Sequence, residues 1–259
     1  MDLISVIMPF YKKREYFVES FFSVANQSYK NIEIIVIYDD DDVNDLKFIN
    51  DEVSADPRVT VINNNSNYGV AKSRNIGINN SKGKFIAFLD CDDIWEKNKL
   101  EMQYNFMSKN KLRISHTSYN IINSENEILG TNIAAENLTY NDLINSCDIG
   151  LSTVMVDSDV FKVAMFKDLK TKEDYALWLE LSRKGEVFSA LDKTLTLWRR
   201  SSNSLSSSFI DKFINGFKVY NKFEKKNLLM SFFLVINLGL NYLKKRIKQR
   251  KRIWKKKLL

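Results

Sequence analysis

The sequence predicts an α/β fold: a mostly parallel central sheet flanked by helices, with a C-terminal helical extension. Three observations carry this. Short apolar runs alternate with helix-spaced segments over the first ninety residues, the pattern of successive strand–helix units. The runs are nearly continuous in apolar residues, which suits strands covered on both faces. Each run also stops abruptly at polar or acidic residues.

Ile4 to Met8 reads as the first strand, closed by Pro9. Residues 14–27 place Tyr16, Phe17, Phe21, Phe22 and Val24 at helical spacing. Residues 32–37 are β-branched and form the second strand, ending in four aspartates, Asp39 to Asp42. A helix over 46–53, a strand over 59–62 and an asparagine-rich loop over 63–67 follow. Then come a helix over 70–80, a turn at 81–83 and a strand over 84–89. The second half is less regular. Residues 113–129 read as strands about a turn near Glu125, 138–146 as a helix and 152–156 as a strand, with Ser158 a candidate cap. Residues 173–184 form an amphipathic helix stopped by Gly185, and 195–198 a last strand before the serine-rich stretch 201–208.

A 259-residue chain with 44% hydrophobic content can bury one large domain with an appendage. Eight glycines and two prolines leave no room for long disordered linkers. No signal pattern opens the chain. Two cysteines make no disulfide framework, so a reducing compartment is expected. The single histidine, His116, argues against zinc–histidine sites and a Ser-His-Asp triad. The net charge of +7 is concentrated: residues 244–259 hold ten Lys/Arg and no acid, leaving 29 basic against 32 acidic residues elsewhere. A nucleic-acid-binding body is not supported.

The run from Phe85 to Asp93 is the most informative segment. An apolar strand drives into Asp90, Asp92 and Asp93. In an extended segment Asp90 and Asp92 point the same way. Clustered carboxylates resist joint ionisation unless a cation joins them, and hard oxygen ligands suit Mg²⁺ or Mn²⁺ together with substrate phosphates. Taken alone, the run equally fits a solvated acidic turn capping a helix near Glu96. In a doubly wound sheet, however, ligands bind outside the carboxyl ends of the strands. Pro9-Phe10-Tyr11, Asp39 and Asp90-Cys91-Asp92 all fall at such ends, so one rim would gather them.

The segments 4–37, 67–93 (NYGVAKSRNIGINNSKGKFIAFLDCDD) and 173–181 (EDYALWLEL), in this order and spacing, resemble family 2 glycosyltransferases of the GT-A nucleotide-sugar-binding fold. The match covers roughly residues 3–200. The resemblance implies a metal-dependent, inverting transfer of a sugar from a nucleoside diphosphate, with UDP favoured, to a hydroxyl of a glycan or lipid-linked acceptor. It places Pro9 and Tyr11 beside the nucleotide, Asp39 at the base and Arg74 near the donor. It sets Asp90 by the ribose and metal, Asp92 on the metal (Mn²⁺ or Mg²⁺), and Asp174 as the catalytic base. It implies a nucleotide-binding half over 1–95, an acceptor half over 96–205 and a C-terminal extension over 206–259, in bacterial surface polysaccharide or lipooligosaccharide synthesis. Two departures stand out. Tyr38-Asp39-Asp40-Asp41 lacks the family's glycine, and Ser201 stands where a metal-assisting histidine is usual, leaving Arg199 or Arg200 to face the diphosphate or simply the solvent. A sugar-nucleotide pyrophosphorylase and a non-catalytic partner with a decayed site remain open alternatives.

Residues 228–243 are sixteen mostly apolar positions, short of the ~20 needed to span a bilayer. The basic run follows at once. This suits a helix lying on an anionic cytoplasmic membrane surface with Trp254 at headgroup level, or one packed on the catalytic domain. The expected location is the inner face of the plasma membrane.

Overall fold

The computed structural model describes residues 1–147, 149–200 and 209–257, with side chains of the last stretch described over 210–244. The serine-rich stretch with Ser201, and the side chains of the basic tail including Trp254, lie outside the described residues. In chain order the elements are β1 (Ile4–Phe10), α1 (Arg14–Ala25), β2 (Ile32–Tyr38), α2 (Val43–Val53), β3 (Val59–Asn63), α3 (Val70–Asn80) and β4 (Phe85–Phe88). These are followed by β5 (Ile94–Trp95), α4 (Lys99–Asn110), β6 (Ile114–Ile122), β7 (Ile128–Asn132), α5 (Tyr140–Leu143) and β8 (Met155–Asp157). The chain closes with α6 (Glu173–Arg183), β9 (Ser189–Arg199), α7 (Phe209–Lys218) and α8 (Leu228–Lys257).

One sheet runs through both halves, in the order β3-β2-β1-β4-β8-β6-β9-β5, with β7 on β6. The first four strands are parallel. Beyond β4 the sheet turns mixed: β8 pairs antiparallel with both β4 and β6, while β9 runs parallel to β6. Period-two alternation splits the strand side chains between two cores. Ile34, Val36, Val6 and Met8 pack with Phe17 and Phe21 of α1. Ile7, Ile35, Ile37 and Phe88 pack on the other face with Ala71 and Ile78 of α3 and with α6. Each buried aliphatic or aromatic side chain contributes roughly 1.5–3 kcal/mol, so the strands are held from both sides.

α3 lies unusually close to the sheet. A Cβ at Gly77 would stand 2.5 Å from Cγ2 of Ile7 on β1. The C-terminal helices are docked, not detached. Val219, Tyr220, Leu234, Val235 and Leu238 belong to the same core as Tyr175 and Trp178 of α6, and the Tyr175 and Tyr220 hydroxyls lie 2.8 Å apart.

Several boundaries differ from the sequence expectation. The helix expected from Glu96 starts at Lys99, because Ile94 and Trp95 pair with β9. The strand expected over 152–156 starts at Met155, because Leu151–Thr153 form a 3-10 turn. The helix expected over 138–146 contracts to Tyr140–Leu143, fixed by a capping box between Thr139 and Asp142. Asp157, not Ser158, caps the short turn that follows β8.

Candidate active site

β1, β2 and β4 end on one rim, and the residues singled out in the sequence sit there. The rim is organised by a buried guanidinium. Arg74 of α3 is 3% exposed. Its Nη2 donates to Asp90 Oδ1 at 2.6 Å and its Nη1 to Glu173 Oε1 at 2.5 Å. Burial opposes the charge of Arg74, but Asp90 and Glu173 outweigh this and raise its pKa. One arginine thus ties the end of the strand β4 to the first turn of α6, reaching Glu173 across 99 residues of sequence.

Asp174 follows Glu173 at the start of α6 and is half-buried. Its Oδ1 accepts from the Tyr175 backbone N–H at 2.7 Å. Burial raises its pKa, while Lys172 and Arg74 pull the other way. Glu173 is buried, and its pKa too is raised by burial, against the pull of Arg74. At 2.5 Å from a guanidinium it is nonetheless held as an ion-pair partner. The sequence reading missed Glu173. Two adjacent acids at a helix start cannot both face the same way, and that was the available signal.

Asp92 forms an ion pair with Lys13 at 2.7 Å, and its side chain is 16% exposed. Burial raises its pKa, opposed by Lys13. Lys13 was also missed, although it stands beside the Pro9-Phe10-Tyr11 turn. Asp93 is fully buried. It accepts from Ser152 Oγ at 2.6 Å and from the Arg199 backbone N–H at 2.9 Å. It therefore orients the loop, and burial, with Asp92 and Asp90 nearby, pushes its pKa well up.

Arg199 does not face an open cleft. It is buried, and donates to the carbonyls of Asp92 (2.9 Å), Asn123 (3.0 Å) and Ser124 (3.2 Å) and to Glu19 (2.9 Å). A role in neutralising a diphosphate is replaced by that of a clamp on the acidic loop, while Arg200 is exposed. Arg199→Met is expected to lower unfolding free energy by about 2–3 kcal/mol, because three part-buried carbonyls and Glu19 lose a charged donor. Urea denaturation checks this, and an unchanged midpoint contradicts the clamp.

Asp39 is buried at the end of β2 and accepts from the Tyr68 N–H (2.7 Å), the Gly69 N–H (2.9 Å) and Asn64 Nδ2 (2.8 Å). A carboxylate has about four acceptor sites, so roughly one remains for a base N–H. Asn64 also donates to Ser73 at 3.0 Å, which joins Asp39 to the helix bearing Arg74. Asp40 and Asp42 of the acidic run have backbone partners. Asp40 accepts from the Lys12 N–H at 3.1 Å, and Asp42 caps α2 through the Asn44 N–H at 2.8 Å. Phe10 stacks on Tyr38 with centroids 5.4 Å apart, while Pro9 and Tyr11 are half-buried at the rim. Trp178 is wholly buried against Phe166 and Phe188. His116 is buried against the Ala135 carbonyl. Cys91 and Cys147 are not disulfide-bonded.

Among the described residues no cluster of three or more His, Cys, Asp or Glu side chains gathers as a metal site. The donor set still fits a hard divalent ion, which needs only one or two carboxylates when substrate phosphates complete its shell. Asp90 and Asp92 are the two carboxylates this rim offers for such an ion, and each gives one oxygen to a neighbouring basic side chain.

Comparison with known proteins gives the family and the fold. The profile described as glycosyl transferase family 2 matches residues 5–169. The chain is 36% identical over 235 residues to the Escherichia coli UDP-Glc:alpha-D-GlcNAc-diphosphoundecaprenol beta-1,3-glucosyltransferase WfgD, covering 90% of this chain and 91% of WfgD. Its fold matches S. aureus TarS 1–349 in complex with UDP-GlcNAc at a TM-score of 0.68 and 18% identity, over 91% of this chain and 70% of TarS 1–349. It also matches the mannosyltransferase PcManGT from Pyrobaculum calidifontis, in complex with GDP-Man and Mn²⁺, at a TM-score of 0.66 and 12% identity, over 89% and 69% of the two chains. The fold is that of the GT-A glycosyltransferases, and the pyrophosphorylase and non-catalytic readings are set aside. The chain belongs to glycosyl transferase family 2, and it is a glycosyltransferase.

Proposed function

We propose that the protein transfers glucose from UDP-glucose, with inversion, to a hydroxyl of a lipid-linked N-acetylhexosamine during surface-polysaccharide assembly. The observation that carries this is the Asp90–Arg74–Glu173 bridge, which fixes the donor-side carboxylates relative to the helix start bearing Asp174. In this reading residues 1–95 hold the nucleotide and 96–205 the acceptor. The donor and acceptor classes follow the activity in the name of WfgD.

Asp174 accepts the proton of the acceptor hydroxyl as that oxygen forms its bond to the anomeric carbon. The bond from that carbon to the diphosphate oxygen breaks, and UDP leaves with the electron pair. The Tyr175 N–H holds one oxygen of Asp174 and leaves the other for the acceptor. Asp39, Pro9 and Tyr11 seat the nucleoside, while Arg74 keeps Asp90 in register. A Mg²⁺ or Mn²⁺ ion on Asp90 and Asp92 would supply electrostatic stabilisation to the diphosphate. Because the acceptor is a membrane lipid, the protein works as a peripheral protein on the inner face of the plasma membrane, held through residues 206–259.

The test is a panel of UDP- and GDP-sugars assayed with Mn²⁺ or Mg²⁺ for slow hydrolysis, then for transfer to a GlcNAc-diphospho-lipid. UDP-glucose is expected to be consumed and to give a β-linked product. Turnover of a GDP-sugar alone contradicts the donor assignment. Consumption of UDP-glucose with no product on the lipid contradicts the acceptor.

A further inference from the structure

α8 is apolar on two faces where a surface helix normally has one. Its inner face is accounted for. Ser231, Leu234, Val235 and Leu238 are buried against the catalytic core. Asn237 Nδ2 donates to Asn145 Oδ1 at 2.9 Å, and Asn241 Nδ2 to the Asn145 carbonyl at 2.9 Å. The outer face is not. Leu229, Phe233, Ile236, Leu240 and Leu243 follow one another at spacings of four, three, four and three, which aligns them along one side of the helix. They are 85%, 62%, 42%, 50% and 54% exposed. No charged residue occurs anywhere from 227 to 243. α7 leaves Ile210 and Ile214 exposed as well, and is joined to α8 by an edge-on contact of Phe213 with Phe232 at 5.9 Å.

An apolar stripe of this extent needs a cover. Its chemistry identifies the occupant. The same helix runs directly into residues 244–259, with ten Lys/Arg and no acid. A second copy of this chain would give the stripe an apolar partner but would leave the basic run unneutralised. An anionic lipid leaflet satisfies both at once: acyl chains take the stripe and headgroups take the cations. No helix among the described residues is long and apolar enough to cross a membrane, so the helix would lie in the surface.

We propose that α8 is a lipid-facing platform whose Leu229–Phe233–Ile236–Leu240–Leu243 stripe rests in an anionic leaflet and holds the start of α6 at a fixed height above it. The height is fixed because Leu234, Val235 and Leu238 share one core with Tyr175 and Trp178 of α6. The consequence for the acceptor rests on the reading of Asp174 as base: a sugar carried on a membrane diphosphate would meet that base at the surface.

The test uses the full chain and co-sedimentation with vesicles of phosphatidylcholine, with and without phosphatidylglycerol. Wild type is expected to bind the anionic vesicles and to bind neutral ones weakly. The triple variant Phe233→Asn, Ile236→Asn, Leu240→Asn is expected to lose at least about tenfold in partitioning, since binding scales with buried apolar area. Its UDP-glucose hydrolysis without vesicles should be unchanged, which also shows that it folds. Equal partitioning of wild type and variant overturns the platform, as does failure of wild type to bind anionic vesicles. A dimer in light scattering that the triple variant dissociates also overturns it, in favour of a second copy on the stripe. Because hydrolysis is read without lipid, failure of the enzymatic assignment is seen separately.

Discussion

Asp174→Asn is expected to cut sugar transfer by about 10²–10⁴-fold, the usual contribution of a positioned general base, with UDP affinity unchanged. The substitution keeps the shape of the side chain and an oxygen for the Tyr175 N–H. What it removes is the capacity to take a proton. The pH profile provides a second reading. Burial raises the pKa of Asp174, so its basic form is lost at a higher pH than for an ordinary aspartate. The acid limb of kcat/KM should therefore lie above the usual carboxylate range, with rate falling as pH drops through it. Stability carries the opposite sign. An acid whose folded pKa is raised destabilises the fold once pH climbs past its unfolded value, because the folded state then holds a charge that burial disfavours. Asp174→Asn should accordingly raise Tm at neutral pH while lowering activity. A variant with full transfer rate places the base elsewhere.

Arg74→Met should have the largest effect on stability, a loss of about 3–5 kcal/mol, the range for breaking a buried ion pair from one side. Methionine replaces the apolar stem but leaves Glu173 buried without its cation. Asp90, whose side chain is 35% exposed, can turn to solvent and adds less. The double variant Arg74→Met, Glu173→Gln separates the causes. It removes the stranded carboxylate, so stability should recover in part. Transfer should not recover, because the link between the donor rim and α6 stays broken. Urea denaturation together with UDP-glucose turnover reads both quantities. Equal stability of Arg74→Met and wild type would mean that the bridge does not hold the two halves.

The fold of the first half was legible because β1, β2 and β4 are covered on both faces and say so in continuous apolar runs. β2 and α3 are the best cases, with ends expected within one residue of those observed. The second half was harder for a physical reason. Its strands are short and mixed in direction, and their limits are set by remote contacts. Ser152 reads as strand by composition, yet a 3-10 turn carries its hydroxyl to Asp93, 59 residues away. Lys99 is a sharper case. Its charged side chain suits the surface, but it is fully buried, with Nζ donating to Gln103 at 2.7 Å and 4.0 Å from the centre of the Trp95 ring. Burial alone drives its pKa well down. At the site, the acidic run after β4 pointed to Asp90 and Asp92, and the family resemblance to Asp174, Asp39 and Arg74. The pairing of Arg74 with Asp90 and Glu173, and of Lys13 with Asp92, is tertiary geometry, which spacing along a chain does not encode. Arg199 was left open between the diphosphate and the solvent for the same reason, and it meets neither: a guanidinium is written identically whether it grips carbonyls or awaits a phosphate.

The tight seam between Gly77 and Ile7 has a bearing on how such enzymes tolerate change. Arg74 sits one helical turn before it, so the reach of the guanidinium toward both carboxylates is set by how closely α3 nestles on β1. A single methyl there would lift the helix and misalign two groups that never touch it. Selection on turnover therefore acts on a hydrogen atom at a packing contact, well away from any reactant, and a screen confined to polar rim residues would overlook it.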